Sequence, residues 1–245
     1  MTLKRRHGGG PRPVYYPETD GKPMAESDQH RDEMLRLIST LKDAFPLPDV
    51  YVSGNLLIYY EEGNPRASVA PDVFVVLGVP SHRRLIYKLW KEGVPPTFVI
   101  EVTSPSTRRE DQARKRALYA RLGVAEYVMY DPLAEYLRPP LQGYRLEEGD
   151  YRAMPVDDQS RLVSEALNLR LTLQGGALVL FNPITGARLL SAGERADAEA
   201  QRADPAAERA ASERQRADTE AAARRAADRR IAELEALLRA REEER

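Results

Sequence analysis

The stretch that decides the fold is PDVFVVL at residues 71–77, together with TFVIEVT at residues 97–103. Each contains a short apolar run rich in β-branched residues, Val73–Leu77 in the first and Phe98–Val102 in the second. Continuous apolar runs of this length are typical of strands that are buried on both faces of a sheet. The sequence therefore predicts two central strands.

Each predicted strand carries one carboxylate. Asp72 stands at the start of the first strand, and Glu101 lies inside the second. An ionised carboxylate inside a buried strand is costly unless a positive group meets it. Two acids from neighbouring strands therefore predict a divalent metal site. The alternatives are a Pro-Asp turn at Asp72 and a metal-free ion pair between Glu101 and Lys115.

Further motif residues surround these two carboxylates. They are Glu26, His30, Pro71, Val102, Thr103, the run Ser104–Thr107, Asp111, Lys115, Tyr119, the turn Gly123–Tyr127 and the pair Asp131-Pro132. In these residues the chain resembles the Uma-type endonucleases, a branch of the PD-(D/E)XK nuclease superfamily, over about residues 15–190. The resemblance implies an α/β fold of the restriction-endonuclease-like class, in which helices flank a mixed central sheet.

The resemblance also implies a metal-dependent DNA endonuclease, in which a metal-activated water hydrolyses a phosphodiester. The implied cofactor is Mg²⁺, with Mn²⁺ as an alternative. Magnesium prefers octahedral oxygen ligation and keeps several waters. We therefore expect Asp72, Glu101 and the backbone carbonyl of Val102 as its protein ligands. The implied catalytic residues are the two carboxylates, Lys115 and Glu26.

The chain departs from the Glu-x-Lys pattern of the superfamily at Thr103, which occupies the lysine position. A neutral hydroxyl cannot replace an ammonium. A helix predicted from residue 106 or 107 to Leu122 places Lys115 on its inward face, towards the carboxylates. Lys115 is therefore the expected substitute for the missing lysine.

Other polar residues are predicted to support this site. Asp111 is interpreted either as a first-turn partner of the helix dipole or as a group that orients Lys115. Tyr119 is expected to pack inside with its hydroxyl on a polar partner. Thr103 is most simply a capping hydroxyl, with a place beside the catalytic residues as the alternative.

A second helix is predicted over residues 25–44, because apolar residues recur at intervals of three and four. Glu26 and His30 share a face of this helix. Glu26 is predicted either to favour the helix dipole in the first turn or to point at the metal site. His30 is interpreted as a hydrogen-bonded core histidine, with a role in or beside the catalytic site as the alternative.

The composition divides the chain into three regions: a disordered N-terminus at residues 1–13, a nuclease domain at 14–190 and an Ala/Arg/Glu-rich helical tail at 191–245. Inside the domain, a strand is predicted at residues 51–60 and its hairpin partner at residues 67–70.

The second half of the domain alternates between strand and helix patterns. The helix that carries Lys115 lies between the strand Phe98–Val102 and a strand predicted at Glu126–Tyr130, an order that predicts a right-handed crossover between parallel strands. Beyond Pro140, short hairpin-like strands are expected at residues 144–146, 151–154, 169–173 and 178–181, and they complete the domain as an antiparallel extension.

The tail has a thin apolar seam. Alanines recur every seven residues, and the bulky residues Ile231, Leu234, Leu237 and Leu238 come only near the end. This pattern predicts a weak coiled coil and a homodimer. A solvated single helix and a partly disordered tail are the alternatives. Pro205 is expected to interrupt the early part of the helix.

Composition excludes several classes of protein. The chain has no cysteine, which removes disulfides, thiolate metal sites and cysteine nucleophiles. It has no apolar run long enough for a membrane span, and a cytoplasmic location is the expectation. The formal net charge is −1, so nucleic-acid binding must rely on local basic segments such as Arg83-Arg84, Lys88 and Arg108-Arg109.

Two functions from different classes remain open. The first is the metal-dependent DNA endonuclease. The second is a noncatalytic module of the same fold that binds nucleic acid or a protein partner and assembles through its tail. The near-neutral charge and the missing Glu-x-Lys lysine favour the second function.

Overall fold

The computed structural model of the protein describes residues 14–19, 21, 27–104 and 110–243. The N-terminal segment 1–13 and Glu26 lie outside the described residues. The helices are α1 (Asp28–Ala44), α2 (Leu89–Glu92), α3 (Arg116–Leu122) and α4 (Ala192–Glu243), with a π-helical segment at Glu110–Lys115. The strands are β1 (Val50–Ser53), β2 (Ile58–Tyr59), β3 (Ser68–Val69), β4 (Val73–Leu77), β5 (Tyr87–Lys88), β6 (Phe98–Val102), β7 (Glu126–Tyr130), β8 (Leu141–Glu147), β9 (Asp150–Ala153), β10 (Leu162–Ser164), β11 (Leu169–Gln174) and β12 (Ala177–Phe181).

The central sheet has the strand order β1-β4-β6-β7-β8-β9. The two strands predicted to carry the carboxylates are β4 and β6, with the predicted bounds, and they pair antiparallel at the centre of the sheet. Strands β6 and β7 are parallel, and the π-helical segment and α3 connect them. The predicted helical connection between two parallel strands is therefore confirmed.

Side chains alternate along the strands and divide the core into two layers. On one face, Val73 and Ile100 pack with Met34, Leu37 and Leu41 of α1. On the other face, Phe74 and Val99 pack with Leu118 and Tyr119 of α3. Glu101 follows Val99 by two residues and therefore shares the α3 face. The mixed sheet with a helix on each face confirms the predicted fold class.

The prediction of a single strand at residues 51–60 is wrong. The segment divides into β1 and β2, which belong to different sheets. The break follows from Gly54. A Cβ at this position would lie 2.0 Å from the carbonyl oxygen of Asp72, so only glycine permits the two backbones to approach so closely. The chain then turns, and β2 forms the predicted hairpin with β3.

The C-terminal strands do not all extend the central sheet. Strands β8 and β9 extend it, whereas β10, β11 and β12 form a separate antiparallel sheet. Strand β10 is not among the predicted strands. The buried carboxylate of Glu126, on β7, connects the two sheets: it accepts a hydrogen bond from Ser164 Oγ at 2.5 Å and pairs with Arg145 Nε at 3.2 Å.

The tail forms one helix of 52 residues, α4. It continues through Pro205, so the expected interruption does not occur. A proline inside a helix removes one backbone hydrogen bond, and the Ala-rich sequence on both sides has a high helix propensity. The chain separates into two compact units after Ala192. No helix among the described residues is both long and apolar enough to cross a membrane.

Candidate active site

Asp72 lies at the entrance to β4, where two groups hold its carboxylate. The backbone N–H of Val102 donates a hydrogen bond to Oδ2 at 2.8 Å. The Nε2 atom of His30, in the first turn of α1, lies 3.1 Å from the same oxygen. Both contacts use Oδ2, and no contact of Oδ1 with a described residue is present. The side chain is 15% exposed, so a small ligand can reach it.

The environment of Asp72 favours the charged carboxylate. Burial raises the pKa of Asp72, but the contact with His30, the positive charge of Lys115 and the Val102 amide together outweigh burial and lower the pKa below its usual value. Asp72 is therefore an anion at neutral pH, as a metal ligand must be.

Glu101 is fully buried, and its contacts include three donors. Lys115 Nζ lies 2.8 Å from its Oε2, and the hydroxyl of Tyr119 donates to its Oε1 at 2.6 Å. The backbone N–H of Asp72 donates to Oε2 at 3.4 Å. A buried carboxylate requires this degree of compensation. The contacts also bring the two acids of the neighbouring strands together.

The π-helical segment brings Lys115 to this position. Segments of this kind are rare and are frequent at functional sites. Lys115 is the last residue of the segment, and Tyr119 follows it by four residues, on the same face of α3. Burial first, and then the negative charge of Glu101, raise the pKa of Tyr119 well above its usual value. Tyr119 is therefore a neutral hydrogen-bond donor and not a base.

Thr103 carries an unusual hydroxyl. Its side chain is 2% exposed, and Oγ1 has no hydrogen-bond partner among the described residues. The backbone N–H is occupied, since it donates to the carbonyl of Tyr130 at 2.7 Å. Thr103 follows Glu101 by two residues and lies directly after the end of β6. A buried hydroxyl without a partner is a costly feature, and it is consistent with a site for a ligand or an ordered water.

The structure gathers Asp72, Glu101, Lys115, His30 and Tyr119 at one end of the central strands, with Thr103 directly after β6. The contact between His30 and Asp72 has no local signal in the sequence, since it joins the start of a helix to the start of a strand.

Two predicted site residues have no described side chain. Asp111 belongs to the π-helical segment, but its side chain is outside the described part. Glu26 lies outside the described residues altogether, so its predicted role stays a prediction.

The donors present are suitable for a hard divalent cation. They are two carboxylates, and the hydroxyl of Thr103, which has no partner among the described residues, follows Glu101 by two residues. Magnesium takes oxygen ligands and keeps several waters, so two carboxylates suffice. Among the described residues, no group of three or more His, Cys, Asp and Glu side chains is arranged as a metal cluster.

The mixed central sheet with flanking helices places the chain in the restriction-endonuclease-like fold class. The chain belongs to the Uma2 family, which is described as "Putative restriction endonuclease" and matches residues 15–174. The predicted family is therefore confirmed.

One solved structure similar to the chain comes from Anabaena variabilis ATCC 29413 and is described as "a putative nuclease belonging to DUF820". The two chains are 16% identical with a TM-score of 0.41, and the match covers 60% of this chain and 87% of that chain. None of the curated proteins compared with the chain matches it.

Proposed function

We propose that the protein is a metal-dependent DNA endonuclease and that Asp72, Glu101 and Lys115 form its catalytic group. The observation that carries the proposal is the convergence of two carboxylates and one ammonium at the end of β4 and β6. An ion pair that only stabilises the fold needs one carboxylate. It does not need a second carboxylate that is charged and accessible to a ligand. Here Asp72 supplies that second acid, and no described residue contacts its Oδ1.

Asp72 and Glu101 would hold Mg²⁺ or Mn²⁺, with the carbonyl of Val102 as a further oxygen ligand. When bound, the cation supplies a water of lowered pKa and neutralises charge on the phosphate. Lys115 stabilises the negative charge that grows on the phosphate oxygens. Its position beside Glu101 compensates for the absence of a lysine at position 103.

The remaining residues position these groups. Tyr119 holds one oxygen of Glu101 as a neutral donor, and His30 holds Oδ2 of Asp72. Because each carboxylate is fixed by neighbours, its other lone pairs keep a constant direction towards the site. The Thr103 hydroxyl is placed to accept from, or donate to, a water beside Glu101.

The second candidate function is a noncatalytic module that binds nucleic acid or a protein. One observation favours it: the ammonium of Lys115 already neutralises Glu101, so the buried charge needs no metal. In this case, the carboxylates would preserve the fold and perform no chemistry.

Calorimetric titration of Mg²⁺ and Mn²⁺ separates the two candidates. We expect binding to the wild type, strong weakening in Asp72→Asn and Glu101→Gln, and unchanged binding in Glu62→Gln, which removes an exposed charge in a turn. The same proteins are then assayed for nicking of supercoiled plasmid. Metal-dependent nicking that disappears in the two site variants supports the endonuclease.

Metal binding without cleavage of duplex, single-stranded or branched DNA would support the noncatalytic module instead. No metal binding by the wild type, with or without DNA, would rule out the proposed chemistry.

A cut through both strands of a duplex needs two active sites or two successive nicks. We infer that the tail joins two copies of the chain through the apolar residues near its end, which would supply the second site.

A further inference from the structure

A groove of about 750 Å³ runs along the free edge of the central sheet. Its floor is β1, which has only one neighbour, β4, in the sheet. One wall is the C-terminal end of α1 and the segment after it, and the other wall is the loop at residues 81–85. The groove does not include the proposed catalytic residues, and the proposed function gives it no role.

The groove is basic although the chain as a whole is not. Lys42, His82, Arg83 and Arg84 line it, and none of the described residues that line it is acidic. Lys42, His82 and Arg83 are exposed. Neither Lys42 nor Arg83 forms an ion pair with a described residue, so both cations are available to a ligand. With a formal net charge of −1 for the whole chain, this concentration of one sign is local.

Arg84 has a different role from its neighbours. Its guanidinium forms two hydrogen bonds with the carboxylate of Glu92, at 2.8 and 2.9 Å, and lies 4.3 Å from the centre of the Tyr51 ring. It also donates to the carbonyls of Pro80 and His82. These contacts attach the loop to β1 and the core. The loop that presents His82 and Arg83 is therefore held in place.

The groove leads towards the proposed catalytic residues. Ser53, at one end of the groove, pairs in register with Phe74, two residues after Asp72, whereas Val50 pairs with Leu77 at the other end. At about 3.3 Å per residue, this part of the strand spans about 10 Å. A nucleic-acid strand rises about 3.4 Å per nucleotide along its axis, so the groove has the length of about three nucleotides.

We propose that this groove binds the phosphate backbone of the nucleic acid beside the phosphate that is cleaved, with Lys42 and Arg83 as its phosphate contacts. The inference rests on the proposed function and adds a second, separate binding surface to it. A row of cations without acids fits a ligand with a repeating negative charge. Leu47 and Leu85 line the groove and are 54% and 68% exposed, and they offer apolar contact to sugars and bases.

The test measures binding of a fluorescent DNA duplex by anisotropy in EDTA, over a series of salt concentrations, so that no cleavage occurs. The variant Lys42→Ala/Arg83→Ala removes the two cations. The control variant Arg66→Ala/Arg121→Ala removes two exposed cations outside the groove. Both variants change the net charge equally. A difference in their DNA affinity therefore shows that the position of the cations matters.

We expect the groove variant to bind roughly tenfold or more weakly at about 0.1 M salt and to show a log–log salt slope shallower by about 2, one unit per phosphate contact. The control variant should match the wild type. Mg²⁺ titration should be the same for all three proteins, because the carboxylates are unchanged.

Equal losses in the groove and control variants would overturn the inference, since binding would then follow net charge alone. Wild-type protein that binds an acidic peptide such as polyglutamate but no nucleic acid would also overturn it. The proposed function fails separately. If DNA binding depends on the groove but no metal-dependent nicking occurs, the groove is supported as a binding surface and the endonuclease proposal fails. If nicking occurs but DNA binding does not depend on the groove, the endonuclease proposal is supported and the groove inference fails.

Discussion

The ammonium of Lys115 lies 2.8 Å from Oε2 of Glu101, whose side chain has no exposed surface. This pair can stabilise the fold, serve catalysis or do both, and the two roles respond differently to substitution. Removing one partner of a buried ion pair costs about 3–5 kcal/mol, because the other charge stays buried and uncompensated. Replacing both partners by uncharged groups of similar size often changes the free energy of unfolding only slightly.

We predict that Lys115→Met lowers the free energy of unfolding by about 3 kcal/mol and that Glu101→Gln added to it restores most of the loss. Urea unfolding of the wild type, both single variants and the double variant measures this coupling. Lys115→Arg is the charge-preserving control and should stay closer to the wild type. Additive losses in the double variant would contradict a buried pair that acts as one unit.

A second prediction concerns the position of the lysine. Position 103 follows Glu101 by two residues, where the Glu-x-Lys pattern has its lysine, so we expect a lysine there to reach the site as well. We expect Lys115→Met to reduce Mg²⁺-dependent plasmid nicking by about 100-fold or more. Adding Thr103→Lys should recover at least about tenfold of this loss, because an ammonium again stands beside the phosphate.

The matched control for this exchange is Thr103→Met in the Lys115→Met background, which has similar length and no charge. If the lysine and methionine at position 103 gave equal rates, the ammonium would not be the property that matters.

A third prediction concerns the pH dependence of stability. Hydrogen bonds from Arg84, against the smaller effect of burial, lower the pKa of Glu92 below its usual value of 4.5. A carboxyl with a lowered pKa in the folded state contributes stability above its unfolded pKa, and this contribution disappears as the pH falls through the folded pKa. Glu92→Gln should therefore lower the free energy of unfolding by about 1 kcal/mol at pH 7.

The deficit of Glu92→Gln should shrink as the pH falls below 4.5, when the wild type also loses the charge. Urea unfolding of the wild type and the variant at several pH values measures the difference between them. Glu62→Gln, an exposed substitution, should show no such deficit at any pH. A constant deficit at all pH values would mean that Glu92 acts through packing and not through its charge.

The central strands and the placement of Lys115 were predictable because they depend on local patterns. Continuous β-branched runs define β4 and β6 without reference to the rest of the chain. The alternation of a strand and the spacing of a helix then place Glu101 and Lys115 on facing surfaces. The Gly123 turn that ends α3, at φ 82°, is equally local.

Other features could not be predicted because they depend on long-range contacts. Strand β1 pairs with β4 and not with β2, its neighbour along the chain, and the close approach of Gly54 to Asp72 that separates β1 from β2 joins residues distant in sequence. Lys42 was missed as a candidate for ligand contact because its neighbours in the groove come from a distant loop. The π-helical segment differs from an α-helix by a small change in hydrogen bonding, which apolar spacing does not detect.

The last prediction concerns the tail. In α4, Ala196 and Ala217 of the seven-residue alanine pattern are exposed, so this seam can contact a second copy of the chain. We expect sedimentation equilibrium to show a monomer–dimer equilibrium, with most of the affinity from the bulky residues at the end, since alanine buries little apolar area. Leu234→Glu/Leu238→Glu should shift the protein to monomer by placing charges in the seam. Ala232→Glu/Ala236→Glu adds the same charges elsewhere on the heptad and should leave the dimer intact. A wild type that is monomeric throughout the concentration series would remove the dimer, and with it the second active site that a concerted duplex cut requires.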